Sequence, residues 1–175
     1  MLLKRIKEND QKALEDLFDR YYYRLCDFVF QFVRSFDLTE EVVSDVFFKI
    51  WKSRHKLDIA DNFKSYIYTS TRNQALNYLQ KEQRDQVSLD ESIVENSFYK
   101  SHQDEELIYQ ELENRIEILI NTLPPRRKQI FKLSRLEGFT YKEIAEILSI
   151  SVYTVQNQMT LGIKQLAAYS IKDDV

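Results

Sequence analysis

Ala13, Leu14, Leu17, Phe18, Tyr21, Leu25, Phe28, Val29 and Phe32 recur at spacings of three and four, which predicts a long helix with one buried stripe. Asp37-Leu38-Thr39 interrupts the pattern, and Thr39 followed by Glu40 and Glu41 reads as an N-cap with acids in the first turn, where the helix dipole favours them. The next helix carries Val42, Val43, Val46, Phe47, Ile50 and Trp51 inward and ends on Lys49, Lys52 and Arg54, the charge expected at a helix C-terminus. A polar connection from His55 to Asn62 leads to a third helix, from about Phe63 to Arg84, with Phe63, Ile67, Ala75, Leu76 and Leu79 as core positions. Tyr22 and Tyr66 are also read as core.

Residues 86–102 show no clean period and are acidic, so they are expected to stay solvated as a linker. A helix resumes near Asp104 and carries Leu112, Ile116, Leu119 and Ile120 until Pro124-Pro125 ends it, because proline lacks the N–H and restricts the residue before it. Pro125 suits the first turn of a new helix with Ile130, Phe131 and Leu133 inward, closed by Gly138. Thr140 then caps a short helix, Tyr141 to Leu148, with Ile144, Ala145 and Leu148 inward. Ser149-Ile150-Ser151 forms a turn, and a longer helix follows with Val155, Met159, Ile163 and Leu166 inward. A short helix, a tight turn and a longer helix, with small Ala145 where they cross, predict a helix-turn-helix. Three packed helices with no DNA role are the competing reading.

Composition supports helices. Glycine and proline number 2 each, against usual shares of about 7% and 5%, so hairpin-rich sheets are disfavoured. Cys26 is the sole cysteine and His55 and His102 are the only histidines. Intramolecular disulfides and a cysteine-based zinc cluster are thereby excluded, and two distant histidines argue against a histidine metal site. No glycine-rich phosphate loop or nucleophile–histidine–acid grouping is evident, and neither an enzyme nor a cofactor is expected. No apolar run reaches membrane-spanning length and no signal-peptide pattern opens the sequence, so the expected compartment is the cytoplasm. The net charge of −3 is uneven: between Arg84 and Gln110 two basic and seven acidic residues give −5, leaving +2 elsewhere. Any DNA contact must then be local rather than a whole-molecule field.

Three blocks resemble one family in order and spacing. Asp45-Val46-Phe47-Phe48-Lys49-Ile50-Trp51 is similar to the second-region helix of sigma factors of the extracytoplasmic-function type, within the sigma-70 family. Phe63 to Tyr68 and Arg72 to Leu79 resemble the helix that follows it. Leu123 to Phe131, Gly138 to Ala145 and Ser151 to Leu166, with Thr154-Val155 at its centre, resemble the fourth region. The resemblance covers almost all of the chain except the linker. It implies an all-α fold: two small helical domains joined by a flexible acidic linker, the second a helix-turn-helix. Residues 1–84 would be region 2, residues 85–107 the linker and residues 108–175 region 4. It further implies a non-catalytic factor that directs core RNA polymerase to promoter DNA. Region 2 would hold the polymerase clamp and the melted −10 element, and region 4 the −35 element. Control by an anti-sigma factor, in some members the cytoplasmic segment of a membrane protein, is also implied, with no small-molecule substrate. Two departures stand out: Ser44 where members often have glutamine, and Gln158 near a position where many have arginine. The final helix has Lys164 as its only cation before Leu166, so its −35 sequence is expected to differ from that of well-known members.

Candidate sites follow from side-chain chemistry on this frame. Melted DNA needs pockets for splayed bases and cations for phosphates. In the loop from His55 to Asn62, Asp58, Asp61 and Asn62 offer hydrogen-bonding edges and Lys56 and Lys64 offer charge, and Tyr68, Arg72, Asn73, Gln80 and Lys81 are expected on the outer face of the next helix. A merely solvated face is the competing reading. For −35 DNA, Tyr153, Gln156, Asn157, Thr160 and Lys164 point outward on the last helix. Gln and Asn can pair with adenine edges and Thr can meet a thymine methyl. Arg126, Arg127, Lys128 and Lys142, near helix N-termini, are expected to hold phosphates, unless residues 126–128 are only a soluble turn. Asp45, Phe48, Lys49 and Lys52 are the candidate polymerase face. Phe47 and Phe48 are adjacent and cannot share one small core, so Phe48 is either an exposed docking aromatic or part of a second core layer.

The alternatives are a DNA-binding regulator that acts without joining polymerase, using only its helix-turn-helix, and a helical adaptor. The block in the first half argues against the regulator, and failure to bind any DNA with polymerase present would favour the adaptor.

Overall fold

The computed structural model describes residues 2–57, 62–85 and 115–170. Most of these residues are helical, and none of them lies in a strand. The chain divides into two compact units, Met1–Lys100 and Ser101–Val175. The linker expected over 85–107 falls outside the described residues beyond Asp85, as do Asp58 and Asp61.

In the first unit, α1 (Leu2–Lys7) turns through Asn9, at φ 66°, into α2 (Gln11–Val33), whose N-cap Asp10 accepts from the Ala13 N–H at 3.2 Å. The boundary between α2 and α3 (Phe36–Lys52) departs from expectation. Arg34 takes a left-handed conformation at φ 54° and donates its N–H to Phe30 O, and Ser35 then caps α3 by accepting from the Leu38 N–H. Thr39 is therefore not the cap. It lies inside α3, buried, and its hydroxyl donates to Ser35 O at 2.7 Å. Two serine and threonine oxygens within five residues could each have served, and the left-handed Arg34 decides between them.

Three long helices make the core of this unit, with α4 (Phe63–Asp85) packed against both α2 and α3. Leu17, Leu25, Cys26 and Val29 of α2, Val42, Val43, Val46 and Ile50 of α3, and Ile67 and Ala75 of α4 are buried together in this unit. A helix wedged against two others buries more than a single stripe. Tyr68, expected to face outward, is accordingly only 1% exposed, with its ring centroid 5.1 Å from that of Phe28. Phe18, expected inward, is instead 37% exposed at the core edge, stacked on half-buried Tyr22 at 4.4 Å and 4.9 Å from Phe47. Tyr66 is likewise only half-buried.

Among the described residues, the second unit holds a helical segment over 115–121 (α5), followed by α6 (Pro125–Arg135), α7 (Tyr141–Leu148) and α8 (Val152–Ser170). Ile120 and Leu123 are buried, whereas Ile116 is exposed. Pro125 occupies the first turn of α6 as expected. The C-cap of α6 is Leu136 rather than Gly138. Gly138, at φ 71°, supplies the left-handed residue that lets the Phe139 N–H reach Leu133 O at 3.1 Å. Thr140 and Glu143 form a reciprocal capping box at the start of α7, an arrangement in which the cap alone is worth about 1 kcal/mol. Ser149, left-handed at φ 52°, ends α7, and Ser151 accepts from the Thr154 N–H at 3.0 Å to start α8. Ala145 is buried in α7, and α8 packs against both α6 and α7. The inward stripe of α8 is Val155, Met159 and Gly162, with Leu166 half-buried. Ile163, expected inward, is 45% exposed, because Gly162 takes the position facing α6.

Candidate nucleic-acid interface

The helix-turn-helix presents α8 with one apolar side and one polar side. Tyr153, Gln156, Asn157, Thr160 and Lys164 are all exposed, and their spacings of three, four, seven and eleven from Tyr153 place them on one face. Tyr153 leads that face at 77% exposure. The Thr160 hydroxyl donates to Gln156 O at 3.0 Å, so its polar group is turned back onto the helix and its methyl is left to face outward. That suits contact with a thymine methyl rather than a hydrogen bond to a base.

The four expected phosphate holders divide. Arg126 and Lys142 are exposed in the first turns of α6 and α7, where backbone N–H groups favour anions. Lys128 is half-buried and its Nζ donates to Asn121 Oδ1 at 3.2 Å. Arg127 does not stand free at the surface. Its Nε and Nη1 donate to Gln158 and Gln165 of α8 at 3.3 and 2.6 Å. Periodicity could not show this arrangement, since it joins residues 31 and 38 positions apart.

In the first unit, α3 ends in the short 3-10 turn Arg54–Lys56. The Arg54 guanidinium lies over the Trp51 ring, 4.2 Å from its centroid, and donates to Asn9 Oδ1 at 2.7 Å and to Trp51 O at 2.7 Å. The turn is thus fastened to the α1–α2 corner. An open groove of about 430 Å³ beside it is lined by Lys49, Lys52, Ser53, His55 and Lys56. It brings Lys49 and Lys52, expected at the polymerase face, together with Lys56, expected at the DNA.

Asn62 is exposed, and its Oδ1 accepts from the Ser65 N–H at 3.3 Å, so it caps α4 as well as bordering the loop. Along α4, Asn73, Asn77, Gln80 and Lys81 are exposed and share one face by spacing. Asn77 was not among the expected contacts, although its place one turn after Asn73 could have shown it. Lys64 and Arg72 are half-buried, and Arg72 Nη1 donates to Asn73 Oδ1 at 3.4 Å. Tyr68 does not belong to this face.

On α3, Phe48 is 63% exposed while Phe47 is buried, so Phe48 is not part of a second core layer. Lys52 is exposed, and exposed Lys49 donates to Gln74 Oε1. Asp45 is half-buried and accepts from Gln74 Nε2 at 3.0 Å and from the Tyr78 hydroxyl at 2.8 Å. It belongs to the joint between α3 and α4 more than to an open face.

Comparison with known proteins assigns both units. The family model of Sigma-70 region 2 matches residues 17–85, and that of Sigma-70, region 4 matches residues 113–166. The ECF RNA polymerase sigma-E factor of Escherichia coli K12 is 27% identical over 167 residues, covering 91% of this chain and 87% of that protein. Its counterpart from Haemophilus influenzae is 28% identical over 166 residues, covering 90% and 87%. Among solved structures, CnrH in complex with the cytosolic domain of CnrY matches at a TM-score of 0.57 with 19% identity, covering 98% of this chain and 96% of that one. The sigma factor RpoE bound to the anti-sigma factor NepR, from Bartonella quintana, matches at 0.59 with 18% identity, covering 89% and 94%. These two carry the fold, while the matches to both regions in sequence order carry the family: the chain belongs to the sigma-70 family and is a sigma factor of the extracytoplasmic-function type.

Proposed function

We propose that the protein directs core RNA polymerase to specific promoters, reading the −35 element with α8 and holding the opened −10 element on the first unit. The observation that carries this reading is the presence of both sigma regions in one chain. A regulator acting alone on duplex DNA would need only the helix-turn-helix. The family consists of non-catalytic initiation factors, which supports a non-enzymatic role for this chain.

Within this reading, Gln156, Asn157 and the Thr160 methyl meet base edges in the major groove, and Arg126 and Lys142 hold phosphates. The groove lined by Lys49, Lys52, His55 and Lys56 tracks the backbone of the melted strand. Asn73, Asn77, Gln80 and Lys81 offer polar contacts along α4. Phe48 anchors the polymerase, with Lys52 at its rim.

Two of the fold's solved likenesses are complexes, one with NepR, an anti-sigma factor, and one with the cytosolic domain of CnrY, which supports control of this chain by a comparable protein. Among the described residues no helix is long and apolar enough to cross a membrane. The proposed place of action is the cytoplasm, where polymerase works.

The test is transcription in vitro with core polymerase, the purified chain and genomic DNA, with start sites mapped. Start sites that share paired −10 and −35 elements are the expected result. Sequence-specific DNA binding with no polymerase-dependent initiation would favour the stand-alone regulator instead.

A further inference from the structure

Arg127 reaches from α6 across one side of α8. Its Nε donates to Gln158 Oε1 at 3.3 Å and its Nη1 to Gln165 Oε1 at 2.6 Å. Gln165 passes the connection on, donating from Nε2 to the carbonyl of Thr122 at 3.0 Å. Between the two glutamines the arginine stem crosses Gly162, where an added Cβ would lie 3.4 Å from Arg127 Cγ. Positions 158, 162 and 165 follow each other at four and three residues, so they form one line along α8. At 100° per residue that line lies roughly opposite the face bearing Tyr153, Gln156, Asn157, Thr160 and Lys164.

We propose that Arg127 is a positioning residue for −35 recognition. By bridging two points two turns apart on α8, it fixes the rotation of that helix about its own axis, and so decides which base edges Gln156 and Asn157 meet. It does this without touching DNA. The geometry is sensitive: with a helix surface about 5–6 Å from its axis, a rotation of about 20° moves a side-chain base by about 2 Å, enough to break a direct hydrogen bond. The two tethers need a forked donor. A lysine keeps the charge and most of the stem but has a single Nζ and cannot span both glutamines.

This inference rests on α8 being the recognition helix of a sigma factor. It separates cleanly from the role first expected of Arg127, a phosphate contact, for which charge alone would suffice. It predicts equivalence between Arg127 and its glutamine partners, which a phosphate contact does not.

The experiment is transcription by the full chain with core polymerase on a library of randomised −35 elements at two salt concentrations. The variants are Arg127→Lys, Arg127→Ala, Gln165→Ala and the double variant Arg127→Ala/Gln165→Ala. Arg127→Lys and Arg127→Ala should each compress the ratio of output between best and worst −35 elements by about tenfold, the scale of one lost base contact, with the salt dependence unchanged. Gln165→Ala should do the same, and the double variant no more than either single one. The lysine variant, which retains the stem packed on Gly162, guards against mere loss of folding. Wild-type selectivity in Arg127→Lys would overturn the proposal. So would a uniform loss across all −35 elements in Arg127→Ala with a salt slope reduced by about one. Absence of any promoter-specific transcript from the wild-type chain would instead overturn the sigma-factor reading, and the −35 role of Arg127 with it.

Discussion

The hydroxyl of Tyr78 on α4 lies 2.8 Å from Oδ2 of Asp45 and 2.9 Å from Oε1 of Glu41, both on α3. One phenolic proton thus sits between two carboxylates a single helical turn apart, whose charges repel. Burial, reinforced by hydrogen bonds to Asp45 and then Glu41, raises the Tyr78 pKa above its ordinary value. Gln74 completes the joint by donating to Asp45 and accepting from Lys49.

Replacing Tyr78 with phenylalanine should therefore destabilise the first unit. A hydrogen bond to a charged group is worth about 1.5–3 kcal/mol, and partial exposure of this site places the expected loss near the lower bound. Urea unfolding measures it. The pH dependence has a definite sign. Below the unfolded-state pKa of about 10 the phenol is protonated in both states and its contribution is intact. As pH rises further, the unfolded chain ionises first, so stability falls towards the raised folded-state pKa. The phenylalanine variant should lose that part of the alkaline decline, and an identical decline in both proteins would show that the phenol does not bridge the two helices.

Phe48 gives the cleaner test of polymerase binding. Asp45 was read at first as part of the same face, but its hydrogen bonds to Gln74 and Tyr78 mean that Asp45→Arg would disturb the joint between α3 and α4 as well as any interface. Phe48 is mostly exposed, so Phe48→Ala should leave circular dichroism and melting unchanged. Truncating an interface anchor costs about 2 kcal/mol or more, roughly thirtyfold in affinity. Titration of labelled chain with core polymerase measures it, and unchanged affinity would move the polymerase face elsewhere on the unit.

The elements were legible because their signals are local. Pro125, the Thr140 cap and the spacing of Val155 and Met159 each depend on residues within a turn or two. Tyr68 was misread because its burial comes from two helices converging on α4, and no periodicity within α4 reports that. Thr39 was mistaken for a cap because Ser35 competes for the same role, and the left-handed turn at Arg34 decides. The Arg127 bracket was out of reach for a related reason. An arginine beside a proline turn looks the same in sequence whether it faces phosphate or a glutamine more than 30 residues away. Composition misled less than expected, since a chain of net charge −3 still gathers Lys49, Lys52 and Lys56 around one groove.

Base contacts and phosphate contacts on the second unit should separate experimentally. Asn157 is exposed on the outer face of α8, and Asn157→Ala should relax preference at one −35 position, a loss of about 1–3 kcal/mol there. Arg126→Ala and Lys142→Ala should lower output from all −35 sequences alike and reduce the salt slope by about one each. The randomised −35 library at two salt concentrations reads both. Should Asn157→Ala keep the parental preference at every position, the sequence would have to be recognised through DNA shape.

Gly162→Ala tests the packing of α8 against α6 in the unintuitive direction. A glycine inside a helix costs about 0.8–1 kcal/mol relative to alanine, and a buried glycine at a helix crossing is commonly kept because nothing larger fits. Here the space is sufficient. An added Cβ would meet Arg127 Cγ at 3.4 Å, Arg127 Cδ at 3.5 Å and Phe131 Cδ2 at 3.6 Å. These are ordinary van der Waals contacts, two of them with a flexible stem. The helical gain should then outweigh any crowding, and Gly162→Ala should stabilise the protein by about 0.5–1 kcal/mol, seen as a melting transition a few degrees higher. Because the substitution adds contact to the Arg127 stem without touching its guanidinium, −35 selectivity should be unchanged. Destabilisation by this single methyl would mean that α6 and α8 approach more closely in solution than these distances allow, and that Gly162 is required by the crossing.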